Sequence, residues 1–526
     1  MNRRSILFAF ACLCTGFTYC QLPVDSNKTR IYLITNYGAV ADSKTLNTAA
    51  IQNTIDDCHQ HGGGIIMIPA GNFVTGTLRI YSDMNLFFEP GSVLIGSTNN
   101  RDYLYQKDFG FSGMGAGNKA GLLVAHGEQN ISVTGFGTID GNGTSFMLMD
   151  SLQFGMDFKQ EYTRQKNDYM NSKYGRADGP VLWKGSYEER PGVIAIFSDC
   201  KNVTVNNIHF VNSPNWTLAF LNSETIKING VTIRNNMQIP NSDGIDLYDS
   251  KNITISDCDI QAGDDAIAVI SSNNLTTNNC ILHSRSSGIR IGYNVYNHNH
   301  TGDLLFNNIT IYDSNRGIGI FQRQPGDIEN ILFSNIVIST RLHSGQWWGH
   351  GEPIHISSIP GLGSTQTGSI RHIRFSNIMA LSESGILIYA SSKGLIDDIN
   401  FDNVSVSIKP SSLAGGYGGN FDLRPTNDVN LGIFKHAIPA FYSYQADDLS
   451  IKNMNVHWNN GLPSYFTHSI ECTNFETITI DGLSEQTEDN NHRTTPTVLL
   501  EGGKRPNVKE ISSTDKGKKL VSIVPH

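Results

Sequence analysis

The chain has little charge and no surplus of basic residues. Charged side chains make up 17% of its 526 residues, and the formal net charge is −9. A protein that binds nucleic acid needs basic side chains to neutralise phosphates, so this balance argues weakly against a nucleic-acid partner. It does not exclude an acidic sugar polymer, because a local basic cleft can hold an anion on a chain of negative net charge.

Cysteine is also scarce after the first twenty residues. Three of the eight cysteines lie within the first twenty residues, and five follow: Cys58, Cys200, Cys258, Cys280 and Cys472. Five is an odd number, and the sequence has no Cys-x-x-Cys pair, so neither a disulfide framework nor a zinc site is indicated. We expect buried thiols, no metal and no cofactor.

Long apolar runs are missing after the start of the chain. Arg3 and Arg4 precede the apolar run 6–14, and small or polar residues follow it. This is the order of a secretory signal peptide, and the run is too short to span a bilayer. We predict a signal peptide over residues 1–20, no membrane span, and a secreted or periplasmic protein whose residues 21–526 form one domain. A lipoprotein anchored through Cys20 is the less favoured alternative, because "FTYC" is a poor lipobox.

A degenerate repeat runs through the sequence from about residue 203. Examples are "VTVNNIHF" (203–210), "ITISDCDI" (253–260), "LLFNNITI" (304–311) and "ILFSNIVI" (331–338). Each unit has two short strands with two-residue alternation, joined by Asn, Asp or Gly at a bend, and most intervals are about 22–29 residues long. A helical repeat is excluded by the alternation, and a propeller blade would be longer. We therefore predict an all-β parallel β-helix, in which Cys258 and Cys280 occupy equivalent core positions of adjacent coils.

Other segments interrupt or close this repeat. "NTAAIQNTIDDCHQHGG" (47–63) places Ile51, Ile55 and Cys58 at helical spacing, which predicts an amphipathic helix that caps the N-terminal end of the solenoid. Inserted loops are expected near 144–190, 343–370 and 410–445.

Seven aspartates crowd the stretch 241–269. Asp243 and Asp264 are 21 residues apart, about one coil, which predicts that they lie on adjacent rungs of one face. Asp265 follows Asp264, and a bend at Gly263 would let both carboxylates reach the outer surface. We interpret Asp249, Asp257 and Asp259 as turn or surface residues and Asp246 as support for a bend.

A cluster of three carboxylates has two plausible uses. Like charges repel, so one carboxyl should keep its proton, and a proton-bearing acid beside an ionised carboxylate is what glycoside hydrolysis requires. Diagonal separation across two rungs favours an attacking water, and so inversion, to a modest degree. Calcium binding is the alternative, because aspartate oxygens suit a hard cation. The residues by themselves leave the two about equally open.

Several ordered motifs of the chain closely resemble glycoside hydrolase family 28, the polygalacturonase-like enzymes. They are "NYGAVADSKTLNTAAIQ" (36–52), "GTIDGNG" (137–143), "RPGVIAIFSDCKNVTV" with "NSPNW" (190–216), "NSDGID" (241–246) and "GDDAIAV" (263–269). The resemblance implies a right-handed parallel β-helix and an inverting, metal-independent hydrolase. It also implies that Asp264 is the general acid and that Asp243 and Asp265 hold the attacking water. This favours catalysis over calcium.

The motifs that bind substrate in the family are altered here. Its Gly-His-Gly appears as "SSGIRIG" (286–292), with Ser287 at the histidine, and its Arg-Ile-Lys matches Gly319 and Phe321 in "NRGIGIFQR". A rearranged anion clamp is one hypothesis, because arginine binds carboxylates bidentately; ordinary salt bridges are the alternative. Paired tryptophans in "HSGQWWGHGEPIHIS" (343–357) suit stacking on a sugar, or a core-capping loop. The predicted substrate-binding residues are Asn241, Arg290, Arg316, Arg323, Trp347 and Trp348.

These observations predict a secreted, metal-independent, inverting glycoside hydrolase. It would act as a monomer on a pectin-type (galacturonan or rhamnogalacturonan) or related acidic polysaccharide. A polysaccharide lyase on the same fold is the enzymatic alternative, and it would require calcium and a Lys or Arg base. A non-catalytic carbohydrate-binding solenoid is the other alternative.

Overall fold

The computed structural model describes residues 30–525, apart from 116, 149–181, 184–188, 294–299, 344–348, 362, 425, 428 and 489–494. The predicted signal peptide, Trp347 and Trp348 therefore lie outside the described residues. So does most of the predicted 144–190 insertion.

Two long sheets make up most of the described structure, one of 22 strands and one of 14, and every strand pair recorded within them is parallel. Successive coils contribute a strand to each sheet, so the chain winds as a right-handed parallel β-helix. The predicted fold class is confirmed. In the part of the chain that the structure describes, no helix is long and apolar enough to cross a membrane.

The strands are numbered in chain order. The 22-stranded sheet contains β1 Ile31–Leu33, β2 Asp42–Leu46, β3 Gly64–Ile68, β4 Gly71–Thr75, β6 Met84–Phe88, β7 Ser92–Gly96, β9 Gln129–Gly135, β10 Thr138–Asp140, β14 Lys201–Asn206, β15 His209–Val211, β17 Glu224–Asn229, β18 Thr232–Arg234, β20 Lys251–Ser256, β21 Asp259–Ala262, β23 Asn273–Ser284, β25 Thr301–Ser314, β27 Ile328–Thr340, β29 Ile370–Ser382, β31 Ile396–Ile408, β35 Ala446–Trp458, β37 Thr477–Thr487 and β39 Arg505–Ser513. The 14-stranded sheet contains β5 Leu78–Arg79, β8 Leu123–His126, β13 Ala195–Ser198, β16 Leu218–Leu221, β19 Ile245–Tyr248, β22 Ile267–Ile270, β24 Ser287–Gly292, β26 Arg316–Gln322, β28 Ile354–Ser358, β30 Ile386–Ala390, β34 Phe441–Tyr444, β36 Ile470–Thr473, β38 Val498–Glu501 and β40 Val521–Val524.

Shorter elements complete the described chain. Two antiparallel pairs join β11 Met147–Leu148 to β12 Leu182–Trp183 and β32 Asn420–Asp422 to β33 Ile433–Lys435. The helices are α1 Thr48–Gln60, α2 Ala414–Tyr417 and α3 Val429–Gly432, with 3-10 turns at Ile34–Tyr37, Asn100–Asp102, Gln106–Phe109 and Gly143–Phe146. The predicted 410–445 insertion thus contains two helical turns and a hairpin.

The register of neighbouring coils follows the repeat read from the sequence. In β20 and β23, Ile253 lies opposite Leu275, and Asp259 of β21 lies opposite Ile281, which makes Cys258 and Cys280 equivalent positions. Both cysteines are buried in the main core and hold free thiols, as predicted. Helix α1 also forms where expected and buries Ile51, Ile55 and Cys58 in the same core.

Identical side chains stack along the axis because equivalent positions recur at one strand spacing. Phe306, Phe333, Phe375 and Phe401 form an interior column with ring centroids 5.0, 4.9 and 4.7 Å apart. At the bends, asparagines with positive φ bond to the equivalent asparagine one coil away, as Asn403 Nδ2 does to Asn377 Oδ1 at 2.8 Å. The abundance of asparagine therefore reflects the left-handed bends.

We expect the phenylalanine column to contribute strongly to stability. Phe333→Ala should lower the free energy of unfolding by about 3–5 kcal/mol, because it opens a cavity between two stacked rings. Leu332→Ala is the matched control on the same strand; Leu332 is 40% exposed, and the change should cost at most about 0.5 kcal/mol. Urea denaturation of both variants measures the difference, and equal midpoints would contradict the packing argument.

Candidate active site

Asp243, Asp264 and Asp265 come together at one edge of the 14-stranded sheet. Asp243 precedes β19, and the Asp264–Asp265 pair precedes the adjacent strand β22. Backbone hydrogen bonds join the two turns, from Gly244 N to the Asp265 carbonyl at 2.9 Å and from Gly263 N to the Ser242 carbonyl at 3.2 Å. Oxygens from the three carboxylates, one from each, lie within 4.8 Å of one another. The three side chains therefore come together as expected, but β19 and β22 pair with a shift of 22 residues, as in Ile245 opposite Ile267, so the equivalent of Asp243 on the next coil is Asp265 and not Asp264.

Gly263 contributes space to this turn. It is not among the glycines with positive φ. A Cβ at this position would lie 2.4 Å from Ser242 Oγ and 2.6 Å from the Ile239 carbonyl oxygen. The predicted importance of Gly263 therefore has a different physical reason from the one expected, because close backbone approach excludes any side chain there.

The three carboxylates occupy different environments. Asp243 and Asp265 are buried, with 3% and 5% exposure, whereas Asp264 is half-buried. Asp243 Oδ1 has no hydrogen-bond partner among the described residues. Burial, and then the negative charges of Asp246, Asp264 and Asp265, raise the pKa of Asp243 well above its ordinary value. Burial therefore favours the protonated form of Asp243.

Arg290, on β24, supplies the positive charge of the cluster. Its Nε donates to Asp265 Oδ2, and its Nη2 lies 4.0 Å from Asp243 Oδ2. The second oxygen of Asp265 accepts a hydrogen bond from Ser287 N at 3.0 Å. Asp265 is thus held by two N–H donors, one from an arginine and one from a backbone amide. The predicted substrate-binding residue Arg290 lies beside the aspartates themselves.

Asp246 is a fourth carboxyl of the cluster, which the sequence reasoning did not assign to the site. It is fully buried on β19, and neither of its oxygens has a hydrogen-bond partner in the described structure. Arg290 Nη2 lies 3.9 Å from Asp246 Oδ1. Burial raises the pKa of Asp246 well above its ordinary value, although Arg290 opposes the shift. The alternation of Asp246 with the core residues Ile245 and Leu247 is the sequence signal that places it on the outward row.

Asn241 holds the turn that leads into Asp243. Its φ is 51°, in the left-handed region that asparagine tolerates. Arg190 Nη1 donates to Asn241 Oδ1 at 3.0 Å, and Arg190 Nε donates to the Pro214 carbonyl at 2.8 Å. The buried Arg190, which sequence reasoning missed, thus ties two neighbouring turns together.

The positions that match the family's anion clamp are filled by an aromatic ring. Gly319 lies next to Arg290 in register, and Phe321 lies next to Gly292. A Cβ at Gly319 would stand 2.4 Å from the Phe321 ring, so the ring covers the glycine. No basic side chain can occupy the space over Gly319 while this ring is in place.

The two remaining arginines differ in their surroundings. Arg323 is fully buried and donates to the Ser357 carbonyl and Ser357 Oγ, each at 2.9 Å. Burial lowers the pKa of Arg323 to about 9. Arg316 packs over Phe321 at 4.8 Å, and its Nε lies 3.8 Å from Glu352 Oε2. Arg323 also lies over the Phe321 ring, at 5.2 Å, so the two arginines differ mainly in their hydrogen bonds.

Arg316 belongs to a buried polar group with incomplete hydrogen bonding. Among the described residues, Arg316 Nε and Nη2, Glu352 Oε1 and both ring nitrogens of His355 lack hydrogen-bond partners. His355 lies opposite Gly319 in register, and burial, followed by the charge of Arg316, lowers its pKa well below the ordinary value. Neutral His355 thus adds one donor and one acceptor to the group.

Calcium binding can be tested against the same geometry. The aspartate trio offers the oxygen ligands that a hard cation prefers. Arg290 already places a guanidinium beside two of the three carboxylates, at Asp265 and 4.0 Å from Asp243. A built-in positive charge weakens the attraction for a second cation, so the donor set fits calcium poorly.

Comparisons with known proteins agree with the fold and the motifs. Residues 177–412 match the family described as glycosyl hydrolases family 28. An exo-poly-alpha-D-galacturonosidase of Dickeya chrysanthemi is 31% identical over 254 residues, which cover 45% of this chain and 41% of that protein. An endo-polygalacturonase of Pectobacterium carotovorum subsp. carotovorum is 28% identical over 314 residues, which cover 57% of this chain and 70% of that protein.

Solved structures show the same fold. The family 28 exopolygalacturonase of Yersinia enterocolitica superimposes with a TM-score of 0.58 at 17% identity, over 94% of this chain and 79% of that one. A hyperthermoactive exopolygalacturonase from Thermotoga maritima gives 0.53 at 18% identity, over 85% of this chain and 91% of that one.

The raised pKa of Asp243 predicts a dependence of stability on pH. A carboxyl with a raised folded-state pKa takes up a proton on folding, so its contribution falls as pH rises from its ordinary value through the raised one. Asp243→Asn removes this loss. The difference in melting temperature between the variant and the wild type should therefore be more favourable to the variant at about pH 7.5 than at about pH 4. Asp257→Asn, at an exposed bend, is the control. A gain independent of pH would contradict the assignment.

Proposed function

Since residues 177–412 match family 28 of the glycosyl hydrolases, we propose that the protein is a member of that family and hydrolyses glycosidic bonds of an acidic, pectin-type polysaccharide. The observation that carries the proposal is the aspartate trio, whose oxygens lie within 4.8 Å at one edge of the sheet in three different environments. Export from the cell, action as a monomer and inversion of configuration are parts of the same proposal.

The three environments support a division of labour. Asp264 is half-buried and takes the part of the general acid that the family resemblance gives it, donating its proton to the leaving glycosidic oxygen. Asp265, paired with Arg290, accepts a proton from the attacking water. Asp243, whose raised pKa favours the protonated form, orients that water by donating a hydrogen bond to it. Water adds to the anomeric carbon as the leaving oxygen departs, so atoms and charge balance.

The substrate is proposed from chemistry near the trio. Arg316 has donors without a partner in the described residues and lies beside the ring that replaces the clamp, so it is our candidate for contacting a sugar carboxylate. Arg290 would bind substrate only through atoms that Asp265 does not use. Asn241, Arg323, Trp347 and Trp348 are retained as proposed substrate-binding residues. The galacturonan activity in the names of two relatives supports the pectin class.

Replacement of the proposed acid tests the reaction. Asp264→Asn should lower kcat on polygalacturonate or a related pectic substrate by about 10²- to 10⁴-fold, because the leaving oxygen is no longer protonated. Asp259→Asn, at a surface ion pair with Arg234, is the matched control and should retain activity. Release of reducing ends measures both. Near-wild-type turnover of Asp264→Asn would refute the acid assignment.

The lyase and binding alternatives give different outcomes in the same assay. An unsaturated uronate product that disappears with a chelator would support a lyase, and binding without release of reducing ends on a broad glycan panel would support a carbohydrate-binding solenoid.

The stereochemistry can be read from the first product. We expect the anomer opposite to that of the cleaved bond, seen by proton NMR before mutarotation, because water attacks the face away from the leaving group. Retention of configuration would instead require a covalent intermediate on one of the aspartates and would overturn the water-holding roles of Asp243 and Asp265.

A further inference from the structure

A concave pocket of about 770 Å³ lies at the same edge of the β-helix as the aspartate trio. Its walls include Asn420, Lys435, His436, Pro463 and Tyr465. These residues belong to the connections that precede β34 and β36, just as the trio belongs to the connections that precede β19 and β22. Five strand steps separate β22 from β34 in the 14-stranded sheet, which is roughly 24 Å along the axis.

Polar contacts connect the wall of this pocket to the Arg316 group. His350 Nδ1 lies 3.3 Å from the Asn420 carbonyl oxygen, and the backbone amide of His350 donates to Glu352 Oε2 at 2.7 Å. Glu352 in turn faces Arg316 at 3.8 Å. In addition, Gly349 N donates to Asp422 Oδ2 at 2.8 Å, which fixes the hairpin against the segment that carries Glu352. A chain of buried polar contacts therefore connects the wall of the pocket to the Arg316 group.

The side chains of the pocket suit a sugar that bears a carboxylate. Tyr465 offers a half-buried aromatic ring, and a Cβ at Gly419 would lie 3.2 Å from that ring, so the glycine lets the ring pack closely. Lys435 is exposed and provides a positive charge, while Asn420 and His436 provide polar groups. A pocket of this size with a few convergent polar groups is typical of a small-ligand site.

Rigid packing behind the pocket holds His436 in place. Its ring lies 4.8 Å from Tyr442 and 5.1 Å from Phe421, and its Nε2 lies 3.7 Å from Glu471 Oε1. Burial, and then the charge of Glu501, raise the pKa of Glu471 to about 7. The carboxyl behind the pocket is therefore largely neutral in weakly acidic solution and opposes an anionic ligand little.

We propose that this pocket is a distal subsite that binds an acidic sugar residue of the same polysaccharide chain whose bond lies at the aspartate trio. The inference rests on the proposed function, because the polymer that enters the trio is the ligand. It adds a second point of attachment about five coils away, so long chains are bound more tightly than short ones.

Binding measurements separate this site from the catalytic one. In an Asp264→Asn background, which keeps the polymer intact, Tyr465→Ala should weaken binding of polygalacturonate about tenfold and Lys435→Gln about threefold. Trigalacturonate is too short to reach from the trio to the pocket, so its affinity should be the same in all variants. Lys227→Gln, on the exposed face of the other sheet, is the matched control, and dextran is the neutral-polymer control.

Each outcome decides between the proposals. Unchanged polymer affinity in both pocket variants, or equal loss for the polymer and the trimer, would overturn the distal subsite. If the wild type hydrolyses polygalacturonate in that case, the proposed function stands alone. If the wild type neither binds nor cleaves any acidic polysaccharide, the proposed function fails, and the distal subsite fails with it. Lys435→Gln guards against misfolding, since Lys435 is exposed and Tyr465 packs on a glycine turn.

Discussion

Stacking of equivalent residues at one strand spacing is the constraint on which the structure depends. Parallel pairing sets neighbouring coils about 4.8 Å apart, so any residue type that recurs at the coil period becomes a column. Inside, that rule gives the phenylalanine column from Phe306 to Phe401. At the bends it gives the asparagine ladders. At the edge where β19 and β22 begin, it brings carboxylates together, and their mutual repulsion helps to raise the pKa of Asp243.

Arg290 is the counterpart of this enforced crowding. Three buried carboxyls, at Asp243, Asp246 and Asp265, lie within 4.0 Å of one guanidinium, which bonds directly to Asp265. Arg290 and Ser287 both donate hydrogen bonds to Asp265. Burial instead raises the pKa of Asp243 and of Asp246. A charge at this point also weakens the case for a calcium ion among the same oxygens. The altered clamp, with Phe321 over Gly319, leaves Arg316 and its partners as the nearest group with unused donors.

Insertions in the connections between strands distinguish this side of the β-helix from a regular solenoid. The hairpin of β32 and β33 stands between the Arg316 group and the pocket at Tyr465, and it touches both through Asp422 and Asn420. The trio and the pocket both lie in connections that enter strands of the 14-stranded sheet, and the proposed distal subsite requires a polymer long enough to reach both.

The linear sequence determined much of this protein, because the repeat is local. Two-residue alternation, Asn-rich bends and the 21-residue interval were sufficient to predict the β-helix, helix α1, the Cys258–Cys280 equivalence and the convergence of the three aspartates. Only the tertiary structure placed Asp246 beside Arg290, the Phe321 ring over Gly319, and Arg190 across two turns. Those contacts depend on side-chain direction and on the volume between coils, which are properties of the packed solenoid and have no signature in spacing alone.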